Sequence, residues 1–518
     1  MSSAGEATIT RRTEPPTNAH GSLVAAPRPQ PTRSSSNVIA AGFVVALAAL
    51  VFFATAMGAG ESSAKLVVLV VFYFIVGWLA LRSPAHLVLV SVITASTVPG
   101  IIFGPILTLV GGGYSSNVRS EYFLFAILVG PFLLHKPQTR FRASLDIPVV
   151  LFVVIQLLSV MFALLRGDSQ YIGLGPVIRL IEGYSFYFLA SRLTSRKQIS
   201  GLVWVLTAIG GLVALAIIVT SITGSQELYI NLFSGTTDPE DVRRSNFYAQ
   251  FFLWYESPRI GFTEGEPLLL MTLALSVVML FQVGWQRRWY SVLAFLVALR
   301  MLISGQRFQI VFLIATLFLP VALVFRRPAE RRKRARLRFG IVLGLLSFAL
   351  ITLMSSGEWA TRWEVMGIRS EGTLKGLISL EQTLGIRLAW SELLDNPSAW
   401  VAGFSPFHYS IPMDINLGFL LTVYYYGLGG LIVLLWLLGA SVVQALRLLR
   451  SRLIPEERAL VYAVVIFIAI YVASGFVRNM VFNESGSSVI VFSICLGWLQ
   501  VIWHDMQGRD VVVRVQRR

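Results

Sequence analysis

Residues 414–446 read DINLGFLLTVYYYGLGGLIVLLWLLGASVVQAL. Apart from Asp414 the stretch carries no charged side chain, and a hydrocarbon layer about 30 Å thick is crossed by roughly 20 helical residues. The segment is therefore apolar enough for lipid but too long for one straight span. The glycine tract Gly427-Leu-Gly-Gly430 in its middle predicts an interfacial turn.

Similar blocks recur along the whole chain. Of 518 residues 55% are hydrophobic and 14% charged, with a mean hydropathy of +0.70, whereas soluble domains sit nearer 45–50% apolar and about 25% charged. An ordinary cytosolic enzyme is excluded. The expected class is all-α, a polytopic transmembrane helix bundle of about 12–14 spans with a large extracytoplasmic loop containing amphipathic helices. Spans are expected near 38–58, 65–81, 86–111, 120–134, 146–165, 174–191, 199–222, 266–284, 289–304, 307–325, 339–355, 414–446, 459–477 and 487–504. Pro99 and Pro105 mark 86–111 as a broken or re-entrant segment. Val38–Gly58 resembles a secretory signal but is too long for its apolar region and sits too far from the start, so a retained span is expected.

The charge is +16, from 43 Lys plus Arg against 27 Asp plus Glu, and its distribution gives the sidedness. With residues 1–37 inside as a disordered, Pro- and Ser-rich cytoplasmic tail, alternation of the spans places 29 of the 43 basic residues on the inside. That is the positive-inside pattern, and it puts both termini in the cytoplasm. The run ERRKRARLR over 330–338 is an anchor against anionic lipid; no nucleic-acid partner is expected. The organisation that follows is a tail (1–37), N-terminal spans (38–222), an extracytoplasmic segment (223–265), central spans (266–355), a large extracytoplasmic loop (356–413), C-terminal spans (414–504) and a basic cytoplasmic tail (505–518). The single cysteine, Cys495, excludes an intrachain disulfide or a cysteine metal cluster.

The informative charges are those left outside. Arg179 has Glu182 one helical turn on, which reads as a structural ion pair. Arg300 and Arg307 flank the turn Leu302-Ile-Ser-Gly-Gln306 with no acidic neighbour in sequence, which suits an anion site, with snorkelling to the interface as the plainer account. Arg259, Glu264 and Glu266 end the first outer segment, where Glu266-Pro267 is also favourable first-turn chemistry for a helix. The large loop carries Arg387, Trp390, Trp400, Tyr409 and His408, the only histidine expected outside, whose imidazole is the commonest general base near neutral pH although loop histidines are usually plain surface residues. Tyr424–Tyr426 begin the next span. Neither Asp-x-Asp, His-x-x-x-His, a Walker loop nor a potassium-filter sequence occurs, so metal, nucleotide and channel chemistry have no sequence support.

In this order and sidedness the motifs resemble the bacterial O-antigen polymerase and O-antigen ligase superfamily. They are Arg259-x-Gly261 with Glu266-Pro267 before a span, Ser304-Gly305 with Arg307 at an outer helix end, then Arg387-x-x-Trp390, Asn396-Pro397, Gly403 and His408, followed by Asn416-x-Gly418. The resemblance covers roughly 255–430; the first 200 residues match only as generic spans. The family's commoner Ser-Arg-Gly turn is here Ser304-Gly-Gln-Arg307, which leaves Arg300 and Arg307 both open as its arginine. The resemblance implies a cofactor-free and metal-free glycosyltransferase of the bacterial inner membrane. Its donor is an undecaprenyl-diphosphate-linked glycan, its acceptor another glycan, and its partners include chain-length regulator and flippase proteins. On this reading Arg259, Arg300, Arg307 and Arg387 hold the diphosphate, His408 is the base, and Glu266 is a reserve base or supports an arginine. The Glu-Pro element favours polymerase over ligase. The alternative from another class is a secondary transporter or flippase of an anionic lipid-linked sugar, for which half-to-half duplication and midplane carboxylates would be expected.

Overall fold

The computed structural model describes residues 35–56, 62–96, 128–134, 144–166, 174–223, 266–280, 287–303, 313–318, 337, 340–349, 380–405, 418–475 and 486–516. Among these residues the chain is helical with short connections and has no strand. The principal helices are α1 (Ser35–Ala56), α2 (Ser62–Arg82), α3 (Pro84–Ser96), α4 (Asp146–Leu165), α5 (Leu174–Leu193), α6 (Arg196–Thr223), α7 (Glu266–Leu280), α8 (Arg287–Ile303), α9 (Leu380–Asp395), α10 (Ala399–Ala402), α11 (Gly418–Leu449), α12 (Pro455–Gly475) and α13 (Gly486–Gln516).

Four helical stretches are long and apolar enough to cross a membrane: Asp146–Leu165, Arg196–Ala216, Gly418–Leu449 and Val489–Gln507. Shorter apolar helices accompany them, among them Leu268–Leu280 and Trp289–Leu302. A helix apolar on every side belongs in the middle of a bundle, and α7 sits there, with each residue from Leu268 to Leu280 buried. It packs against α6, α8, α12 and α13, while α5 lies along α13 and α4 along α11. Aromatic rings knit the groups together. Phe152 of α4 meets Tyr184 of α5 and Tyr426 of α11 edge to face, and Phe467 of α12 stacks on Phe492 of α13.

At one end of the bundle six helices converge on a belt of polar side chains. Arg196, opening α6, grips Glu457 of α12 with Nε and Nη2 at 2.6 and 2.9 Å and reaches Asp505 of α13 with Nη1 at 2.8 Å. Beside it Tyr187 Oη of α5 donates to Asp146 Oδ1 of α4 at 2.6 Å, with Arg192 3.8 Å from the same carboxylate. Ser144 Oγ and Gln444 Nε2 of α11 both donate to Gln500 Oε1 of α13. Glu457 also accepts the Ile454 N–H, capping the helix it begins. These contacts place the starts of α4, α6 and α12 together with the ends of α5 and α11.

α11 is not straight: Gly427 has φ 69° and ψ −178°, so the helix breaks at the glycine tract, where a turn is expected. α13 runs on to Gln516 through the residues read as a tail, and Asp505 within that extension is fastened to Arg196. α3 ends at Ser96, and Pro99 and Pro105 lie outside the described residues.

Candidate functional site

The end opposite the polar belt carries a cap made of α9, α10 and the non-helical residues 403–405. Its shape follows from two glycines that face each other. Gly427 breaks α11, and a residue with its positive φ cannot carry the helical hydrogen-bond ladder, so carbonyls of the preceding turn become acceptors for other groups. The cap uses them. Phe404 N–H donates to Tyr424 O at 2.7 Å and Ser405 N–H to Tyr425 O at 3.0 Å, while Ser159 Oγ of α4 donates to the same Tyr425 carbonyl at 2.5 Å.

This backbone-to-backbone seating needs both glycines. Gly403, at φ +72°, has the Tyr425 carbonyl where a Cβ would project, and Gly427 has the Val401 carbonyl there. Ser405 also adopts a positive φ of 76°, a strained position for a residue with a side chain, costing about 1–2 kcal/mol. Arg166, just past the end of α4, donates from Nη1 to Gly403 O at 3.0 Å and lies over the Phe404 ring. Under the cap, Ala389, Leu393, Ala399, Phe404, Leu421 and Tyr424 form a small apolar core, and Tyr424 Oη donates to Glu392 Oε2 at 2.8 Å.

The residues singled out from sequence fall into three groups. Arg300 lies in the last turn of α8 and is fully buried. Arg387 is exposed on α9, so one arginine is desolvated and the other hydrated. Glu266 is the first residue of α7; its side chain, and Arg259, Arg307, His408 and Tyr409 altogether, lie outside the described residues, as do the side chains of Arg179 and Glu182. Tyr424 and Tyr426 are buried in packing, so neither presents a ring face to a ligand. Trp390 is exposed and sits edge-on to Trp400, with ring centroids 5.5 Å apart.

Sequence reasoning missed Arg166, which ties the end of α4 to the cap, and Ser159, which ties α4 to α11 at the Tyr425 carbonyl that also accepts from Ser405. The available signal was an arginine placed one residue beyond a span on the side opposite the basic loops.

Compared with models of known protein families and with curated proteins, the chain matches none.

Proposed function

We propose that this protein is a membrane glycosyltransferase that polymerises or ligates polyprenyl-diphosphate-linked oligosaccharide repeat units on the extracytoplasmic face of the bacterial inner membrane, serving O-antigen, exopolysaccharide or capsule synthesis. The observation that carries the reading is Arg300, a fully buried arginine in the last turn of an apolar helix. Charge in that setting is expensive and marks a functional position. The motif order described above, with Arg259, Arg307, Arg387 and His408 on the same expected face, supports it.

In the reaction the acceptor hydroxyl oxygen attacks the anomeric carbon of the donor. The bond from that carbon to the diphosphate oxygen breaks, and the lipid diphosphate leaves with the electron pair. His408 takes the hydroxyl proton, and the arginines offset the charge growing on the leaving group. The family resemblance makes inversion at the anomeric carbon the expected outcome, with Glu266 as support or reserve base. The cap held at Gly427 would cover the lipid-linked donor.

The test is the glycan profile of a deletion strain complemented with wild type, His408→Ala or Arg387→Ala. Single repeat units in the deletion, a ladder restored by wild type and no ladder from either variant support a polymerase. Full-length polymer left on its lipid carrier identifies a ligase. Lipid-linked units accumulating on the cytoplasmic side identify a flippase and overturn the proposal, as do normal ladders from both variants. Arg387→Lys is expected not to rescue, because an ammonium lacks the guanidinium fork.

A further inference from the structure

We propose that one flank of the cap, formed by Trp390, Leu394, Trp400 and Val401, is a membrane-interface anchor that seats in the nearer bilayer leaflet, with Arg387 at the depth of the lipid phosphates. The inference goes beyond the transferase reading and is independent of it.

Helical geometry sorts α9 into three faces. Ile386, Ala389 and Leu393 turn toward α11 and belong to the apolar core beneath the cap. Arg387, Trp390 and Leu394 share one outer flank at three- and four-residue spacing. Ser391 lies between this flank and the other, which carries Leu388 and Asp395. The first flank is apolar yet open: Trp390 is 46% exposed, Leu394 58% and Val401 78%. Trp400, half-buried against the core beneath the cap, borders the flank through its ring contact with Trp390.

Two further observations say what covers it. The first is depth. α4 rises for 20 residues from Asp146 in the polar belt to Leu165, about 30 Å at 1.5 Å per residue, and Arg166 then holds Gly403. The cap thus sits one hydrocarbon thickness away from the belt, at the opposite interface. The second is continuity. α10 packs on α4, whose outward residues Leu158, Met161, Phe162 and Leu165 are exposed, and Leu428 and Ile432 of α11 are exposed next to the break. Lipid-facing surface of the bundle therefore runs up to the cap flank without a change of character. Tryptophan at headgroup level with an arginine beside it is the composition that such an interface selects.

Cys495 is fully buried, so a cysteine-directed spin label reports an introduced site. The full chain would be reconstituted in phosphatidylcholine–phosphatidylglycerol vesicles with a label at Leu394→Cys, Val401→Cys or Asp395→Cys. The expected result is relaxation dominated by oxygen at 394 and 401 and by a water-soluble nickel chelate at 395. Equal access of the chelate to all three positions overturns the proposal. Protection of 394 and 401 that arises only on adding a lipid-linked oligosaccharide also overturns it and gives the flank to a glycan instead. A second measurement avoids labels: in Trp390→Phe with Trp400→Phe, tryptophan quenching by brominated lipids should fall below that of the parent, which has 12 tryptophans. Unchanged quenching refutes the anchor.

Discussion

At the belt end of the bundle six helices meet through charged and amide side chains, whereas at the cap end α4 and α11 meet the outer segment largely through backbone groups. The belt joins residues such as Arg196, Glu457 and Asp505, whose long side chains reach across gaps between helix ends. The cap joins carbonyls at a helix break to the amides of Phe404 and Ser405, which requires main chains to touch and hence Gly403 and Gly427. Side-chain locks tolerate drift of a helix end by an ångström or so, because rotamers adjust. Backbone seating does not, so the cap is held in one register.

The comparison can be broken most severely at the belt. Arg196→Met leaves the buried Glu457 carboxylate without its guanidinium, and a loss of about 3–5 kcal/mol is expected. Thermal unfolding of the detergent-solubilised protein measures it, with Arg196→Lys intermediate. A melting curve like the parent's would show that the belt does not close this end.

Gly427→Ala is next, at about 2–4 kcal/mol, from left-handed strain plus collision with the Val401 carbonyl. Here the damage should be local: protease sites around 399–405 open while the belt end keeps its protection. Arg166→Ala should cost about 1 kcal/mol, since the guanidinium is exposed and its loss removes one charge-assisted bond. Hydrogen exchange at the Phe404 and Ser405 amides reads it, and faster exchange at those two positions with none elsewhere is the expected pattern. Smallest is Ser159→Ala, about 0.5–1 kcal/mol, because the Tyr425 carbonyl keeps its bond from Ser405. Additivity of the Arg166 and Ser159 effects would mean two independent bolts; a double variant no worse than Arg166→Ala would mean one.

Several of these features were legible in the residues. The length of 414–446 and its glycine tract announced the break that Gly427 makes, since no 33-residue apolar run fits a bilayer straight. The partial helical spacing of the stretch 356–413 announced α9. The burial of Tyr424 and Tyr426 was not legible, because from sequence a tyrosine at a span's start looks the same whether it faces lipid, sugar or another helix. The site was less legible than the fold. Of its proposed members, Arg300 and Arg387 are placed, and they occupy opposite environments that no local pattern distinguishes: each is an arginine among leucines.

What the sequence determined by itself is therefore whatever composition and period encode: apolar spans, their alternation against the basic loops, and the points at which a helix has to stop or bend. These are local quantities, set by hydration of the side chains and by backbone geometry within a few turns. Only the tertiary structure decided that Arg196 would find Glu457, 261 residues away, and Asp505, 309 away, or that Ser159 and Arg166 would reach Tyr425 and Gly403 across 266 and 237 residues. Such pairings depend on which helices become neighbours when the bundle packs, and in a chain of near-interchangeable apolar spans that choice is made by the fit of surfaces, which no short window of sequence contains.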